Sequence, residues 1–140
     1  MVRVVLDTNV VVSALRSRRG ASFALLEHLE HGDFEVAVSV PLVLEYEDVL
    51  LRKPITGALT AQDVREFLDA FCSLAHRQPI FFLWRPLLPD PKDDMVAELA
   101  VAAECFAVVT HNVRDFLGLD AFGVKVLTPA QLLQRLRGVK

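Results

Sequence analysis

Short apolar runs alternate with stretches of helical periodicity along the whole chain. Val2, Val4, Val5 and Leu6 read as a short buried strand, which stops on Asp7-Thr8-Asn9. A second apolar run, Val10 to Leu15 with Ser13 inside it, follows at once. Phe34 to Val38, bounded by Gly32-Asp33, predicts a second strand. Pro41 to Leu51 reads as a helix that starts near its proline and ends before Lys53-Pro54. Thr60 and Asp63 have capping-box spacing, and Val64, Phe67, Leu68 and Phe71 form the i, i+3, i+4, i+7 stripe of an amphipathic helix. Ile80 to Trp84, closed by Pro86, predicts a third strand. Asp90-Pro91-Lys92-Asp93 opens a helix with Leu99, Ala100 and Ala103 on one face. Phe106 to Val109 and Val124 to Leu127 are the fourth and fifth strands, and Thr128-Pro129-Ala130-Gln131 joins an N-cap, a proline at N1 and a glutamine at N3. Strands separated by helices and apolar on both faces predict a central parallel sheet, covered on each side and joined by right-handed crossovers. The expected architecture is a three-layer α/β/α sandwich forming one domain over residues 1–140.

Composition narrows the class. A chain of 140 residues supports one sizeable core, and 53% hydrophobic content with a mean hydropathy of +0.37 excludes disorder. The apolar runs are too short to cross a bilayer, and no basic segment followed by an apolar stretch and a cleavage site marks a secretory signal. Cys72 and Cys105 lack CxxC spacing and read as buried thiols of a reduced, cytoplasmic protein. A net charge of −3 argues against a protein that coats nucleic acid. It leaves room for a nuclease, because acidic groups that hold a cation count as negative until the metal binds. Arg16, Arg18 and Arg19 form one basic cluster, and Arg135, Arg137 and Lys140 another; both read as solvated surface, the first with phosphate contact as its alternative.

The polar groups that interrupt this pattern carry the chemistry. Asp7, Thr8 and Asn9 place a carboxylate, a hydroxyl and an amide at the end of a core strand, where open α/β sheets bind ligands. A helix cap would need only one of the three. Further acids follow: Glu45, Glu47 and Asp48 on the helix after strand two; Asp90, Asp93 and Asp94 before strand four; and Asp115 after Thr110-His111-Asn112. Clustered carboxylates raise one another's pKa unless a cation offsets them, and oxygen-only ligands favour Mg²⁺ or Mn²⁺. On a helical wheel with Leu42 at zero, Glu45 falls at about 300°, Glu47 at about 140° and Asp48 at about 240°. Asp48 therefore faces solvent, and the other two border the apolar face on opposite sides. With Asp90 as N-cap, Asp93 at N3 is explained by capping, which leaves Asp94 the freer candidate. Asp115 also reads as an ordinary loop charge. His28 and His31 lack a third ligand and read as solvent-facing helix residues, and His111 is expected to point away from the site.

Four ordered segments resemble the PIN-domain proteins, the nuclease fold of VapC-type toxins in bacterial toxin–antitoxin pairs. They are LDTN with Ser13 downstream, SVPLVLEYEDVL (39–50), DPKDD (90–94) and VVTHNVRDF (108–116). The resemblance implies catalytic acids at Asp7, Glu45, Asp94 and Asp115, and so takes Glu45 over Glu47. It implies Mg²⁺ or Mn²⁺ on Asp7, Asp94 and Asp115, with Asn9, Ser13, Thr110 and Asn112 as polar neighbours. Many members carry Asp where this chain has Asn112, a departure that bears on the number of metals. The implied activity is metal-dependent cleavage of single-stranded or structured RNA by a cytoplasmic toxin, with an antitoxin partner, a homodimeric state and no membrane. Two rivals stand beside it. A phosphatase with Asp7 as covalent nucleophile would need a second Asp where Asn9 sits. A silent PIN-like scaffold, binding RNA or protein without cutting, would be marked by loss of one of the four acids.

Overall fold

The computed structural model describes residues 1–52, 59–80, 88 and 91–138. Its sheet holds β1 (Arg3–Leu6), β2 (Glu35–Val38), β3 (His76–Arg77), β4 (Ala107–Val109) and β5 (Lys125–Leu127), in the order β3-β2-β1-β4-β5. Every pairing is parallel: Val4 sits opposite Val36 on one side and Ala107 on the other, and Leu6 opposite Val109. The central strands are buried on both faces, with Val4, Val5, Val36, Ala37, Ala107, Val108 and Val109 all at 0% exposure. That burial explains why these strands read as unbroken apolar runs rather than alternating ones.

Helices α1 (Thr8–Arg16), α2 (Ala21–Glu30), α3 (Val40–Leu51), α4 (Ala61–Leu74), α5 (Pro91–Ala102) and α6 (Pro129–Gly138) complete the three-layer α/β/α sandwich. Their ends follow the expected chemistry. Thr60 and Asp63 form the capping box of α4, and Thr128 and Gln131 make the same reciprocal pair before α6. Ser39 caps α3 by accepting from Leu42 N. Tyr46 of α3 packs edge-to-face on Phe71 of α4, with ring centroids 5.8 Å apart.

Three features depart from the expected elements. The third strand is His76–Arg77, paired with Ala37 and Val38 of β2. Ile80 has no regular structure, and residues 81–84 lie outside the described residues, as do Lys53-Pro54, Pro86 and Asp90. Helix α2, which no cap announced, begins at Gly20 without a side-chain bond to its first turn. Residues Val113–Phe122 form a 3₁₀ segment, closed by Gly123 at φ +77°, the left-handed conformation glycine supplies at a helix end.

Candidate functional site

The strand order fixes where a ligand can enter. From β1 the chain builds outward through β2 to β3, then returns to lay β4 and β5 on the other side of β1. Chain direction therefore reverses between β1 and β4, and the crevice beyond their carboxyl ends is the topological switch point. A cavity of about 550 Å³ opens there. Asp7, Thr8, Asn9, Ser13 and Arg16 line it from the start and face of α1, Glu45 from α3 and Asp93 from α5. His111, Asn112 and Asp115 close it from the segment after β4.

Asp7 is tied to the sheet by its own N–H, which donates to Val109 O at 2.9 Å. One carboxylate oxygen accepts from Thr8 N (2.8 Å) as the N-cap of α1, and the other accepts from Thr110 Oγ1 (2.7 Å). Thr110 is fully buried and accepts in turn from Asn112 N at 2.9 Å. Burial pushes the Asp7 carboxyl above the ordinary carboxylate value. The bonds from Thr110 and Thr8 pull it down, and the negative charges of Glu45 and Asp115 add to the rise. A cap alone would not be surrounded by its own charge.

Neighbouring contacts hold the wall in register. Thr8 Oγ1 donates to Glu45 Oε2 at 3.3 Å, joining α1 to α3. One residue on, the buried Tyr46 hydroxyl donates to Leu6 O at 2.5 Å, the carbonyl preceding Asp7. Burial, then the negative charge of Asp7, pushes the Tyr46 phenol well above its usual value, so it stays a neutral donor. Asn9 Oδ1 accepts from His111 N at 3.3 Å, which binds the loop after β4 to α1.

Of the residues expected at the site, Asp7, Glu45, Asp115, Asn9, Ser13 and Asn112 meet at this cavity, and Thr110 lies behind Asp7. Asp94 does not line it. Its carboxylate is 2% exposed and accepts from Leu88 N at 2.6 Å, whereas Asp93 is on the wall. Among the described residues no three Asp, Glu, His or Cys side chains stand close enough to hold one metal ion, so Asp7, Asp94 and Asp115 are not gathered as a ligand set. His111 also departs from expectation. It lines the cavity, with Nε2 2.9 Å from Ser13 Oγ. Arg16 joins the wall too, and Asn9, Ser13 and Arg16 at i, i+4, i+7 are the polar stripe that could have announced it.

Elsewhere His28 pairs with Asp33 (2.7 Å) and His31 with Glu27 O (2.7 Å), so they share no ligand. Burial raises the pKa of both thiols, Cys105 to about 11, which disfavours the reactive thiolate.

The molecule is a parallel α/β domain with an acidic crevice at its switch point. Residues 3–114 match the model of the PIN domain, and the chain belongs to the PIN-domain family. Among solved structures it is similar to VapBC2 from Rickettsia felis bound to a DNA fragment from their promoter, with a TM-score of 0.59 and 17% identity over 89% of this chain and 98% of that one. It is also similar to FitAcB from Neisseria gonorrhoeae, with a TM-score of 0.56 and 20% identity over 91% and 98%. At these identities the likeness is one of fold. No curated protein matches the sequence significantly. Among the described residues no helix is long and apolar enough to cross a membrane.

Proposed function

We propose that the chain is a Mg²⁺- or Mn²⁺-dependent endoribonuclease acting on single-stranded RNA, and the toxin of a toxin–antitoxin pair. The observation that carries this reading is the group of four carboxylates, Asp7, Glu45, Asp93 and Asp115, around one cavity with Asp7 desolvated among them. Mutually repelling carboxylates in a crevice favour a cation, and their all-oxygen chemistry suits a hard one. Mg²⁺ keeps several waters and needs only one or two protein carboxylates, which fits a wall where no three groups converge. Asp7 and Asp115 would hold the ion directly, with Asp93 at the start of α5 facing it across bound water. Bound there, the ion supplies a Lewis acid and an acidified water.

The chain's own groups do the rest. Thr110 and Thr8 N fix both oxygens of Asp7, so its orientation is set before any ligand arrives. Glu45, steadied by Thr8, is placed to orient an attacking water. Arg16 offers a guanidinium on the cavity wall, opposite charge for a phosphate. The solved complexes of similar fold support an antitoxin partner for this chain, and the reading adds a homodimeric state and a cytoplasmic location.

Cleavage of a mixed-sequence single-stranded RNA, with Mn²⁺ or EDTA and with Asp7→Asn beside the native chain, tests the reading. Cleavage is expected only in the native chain with metal, and Mn²⁺ should raise its melting temperature, because the ion binds only the folded state. RNA binding without cleavage or metal response would favour a silent scaffold, the reading that the engagement of Asp94 with Leu88 N supports.

A further inference from the structure

A second cavity, of about 240 Å³, adjoins the acidic one, and Ser13 and His111 line both. We infer that RNA flanking the scissile bond passes over His111 and Ser13 into this second cavity, which holds the neighbouring sugar–phosphate unit. The inference rests on the ribonuclease reading and adds to it a binding subsite. The volume is below the range of a whole ligand pocket, as suits one unit of a longer ligand.

Charge sets the direction. Four carboxylates line the first cavity, and none lines the second. A polyanion whose reacting phosphate is held among acids is repelled by them on every side except where the wall is neutral. The second cavity supplies that wall and adds hydroxyl donors. Ser17 Oγ accepts from Arg19 N and Thr128 Oγ1 from Gln131 N, so each oxygen is used as an acceptor and each proton is left for a phosphate oxygen.

The ridge between the cavities is braced by proton arithmetic. Ser13 has one hydroxyl proton and three partners: Val10 O at 3.0 Å, Ser22 Oγ at 2.7 Å and His111 Nε2 at 2.9 Å. Val10 O can only accept. Ser22 is 4% exposed, and among the described residues its hydroxyl meets only Ser13, so its proton goes there. Ser13 therefore donates to Val10 and accepts from Ser22 and from the Nε2–H of His111. That fixes the imidazole by one nitrogen and leaves its exposed edge and Nδ1 for the strand crossing the ridge.

Fluorescence anisotropy in an Asp7→Asn background, where cleavage is suppressed, would compare a labelled single-stranded RNA of about ten nucleotides with a trinucleotide, lengths chosen against the usual reach of single-strand sites. His111→Ala removes the ridge contact. Ala130→Phe fills the second cavity from an exposed helix position that does not touch the first. Each should weaken binding of the longer RNA roughly tenfold, the worth of one good polar contact, and Ala130→Phe, which touches only the second cavity, should leave the trinucleotide unchanged. His111→Gln, which keeps an N–H toward Ser13, should recover part of the loss, and melting curves would check folding. Unchanged binding of the longer RNA by Ala130→Phe, or equal losses on both probes in that variant, overturns the subsite. If the native chain fails to cleave with Mn²⁺ while the length-dependent losses persist, the nuclease reading falls and the RNA track stands. No measurable binding of the longer RNA overturns both.

Discussion

Asp7 is the group where function and stability pull against each other, and two substitutions separate them. Asp7→Asn keeps the volume and removes the charge. Its amide oxygen still accepts from Thr8 N, and its NH₂ donates to Thr110 Oγ1, whose own proton then loses its acceptor. One unpaired buried proton costs about 1–3 kcal/mol, and removal of a desolvated charge between Glu45 and Asp115 acts in the opposite direction. The variant should therefore sit within about 1–2 kcal/mol of the native chain at neutral pH, the remainder after these terms offset. Asp7→Ala additionally strands Thr8 N at the start of α1 and should melt below Asp7→Asn by roughly 1–3 kcal/mol, or about 3–10 °C for a domain of this size. The pH dependence supplies the sign. The folded pKa of Asp7 lies above the ordinary carboxylate value, so the folded state binds the proton more tightly than the unfolded chain. The native chain thus carries the full cost of the ionised group above the folded pKa, and sheds it as pH falls through that pKa toward the unfolded one. Denaturant melts of both proteins between about pH 4 and 7, without divalent ions, would measure their difference; carboxylates remote from Asp7 cancel in it. Relative to the native chain, Asp7→Asn should lose ground steadily as the pH is lowered. If Asp7→Asn lies several kcal/mol below the native chain at neutral pH, with a gap that closes on acidification, Asp7 is a stabilising structural charge and the argument from a strained site fails.

The other acids can be sorted by paired substitutions under the same RNA-cleavage assay. Glu45→Gln should lose on the order of a hundredfold or more in rate, and Glu47→Gln, away from the cavity, should cleave like the native chain; equal losses would mean a general charge effect. Asp93→Asn should lower cleavage steeply at no more than the about 0.5–2 kcal/mol that a lost helix cap costs, whereas Asp94→Asn, at a residue 2% exposed and bonded to Leu88 N, should mainly lower the melting temperature. Cleavage lost only in Asp94→Asn would give Asp94 the role the family resemblance assigns it. Tyr46→Phe leaves Leu6 O without the phenol donor and should cost about 1–3 kcal/mol in urea unfolding. A cost near zero would show that water or another donor replaces it.

Much of this architecture is legible in the sequence because burial leaves a direct mark. Val4-Val5-Leu6 and Ala107-Val108-Val109 are apolar at every position because both faces of the sheet are covered, and caps at Thr60 and Thr128 announce α4 and α6 by side-chain chemistry alone. His76–Arg77 carries no such mark. It is a two-residue edge strand, made a strand by the backbone of Ala37 and Val38 beside it rather than by its own side chains. The 3₁₀ segment Val113–Phe122 escapes for a related reason, since its turn does not repeat at the 3.6-residue period that reveals an α-helix.

The same distinction explains which parts of the site could be read. A residue that follows a buried strand emerges at the sheet's carboxyl edge whatever the helices do, so Asp7 after β1 and Thr110 after β4 are placed by strand registry alone. A residue on a helix has no such guarantee. Asp93 and Asp94 are about 100° apart around α5, and the packing of that helix decides which one reaches the cavity. Capping logic assigned Asp93 to the helix and released Asp94, while packing turned Asp94 into the protein toward Leu88 N and left Asp93 on the wall. Glu45 and Glu47 posed the same problem, and the Thr8 hydroxyl that meets Glu45 comes from a helix about forty residues away, beyond the reach of local periodicity. His111 was lost to the opposite assumption, that the neighbour of two inward residues must face outward. That alternation holds inside a strand, but β4 ends at Val109, and beyond it the backbone is free to aim His111 at Ser13. Strand ends therefore locate this site from sequence, and only the packed helices select which of their acids and imidazoles enter it.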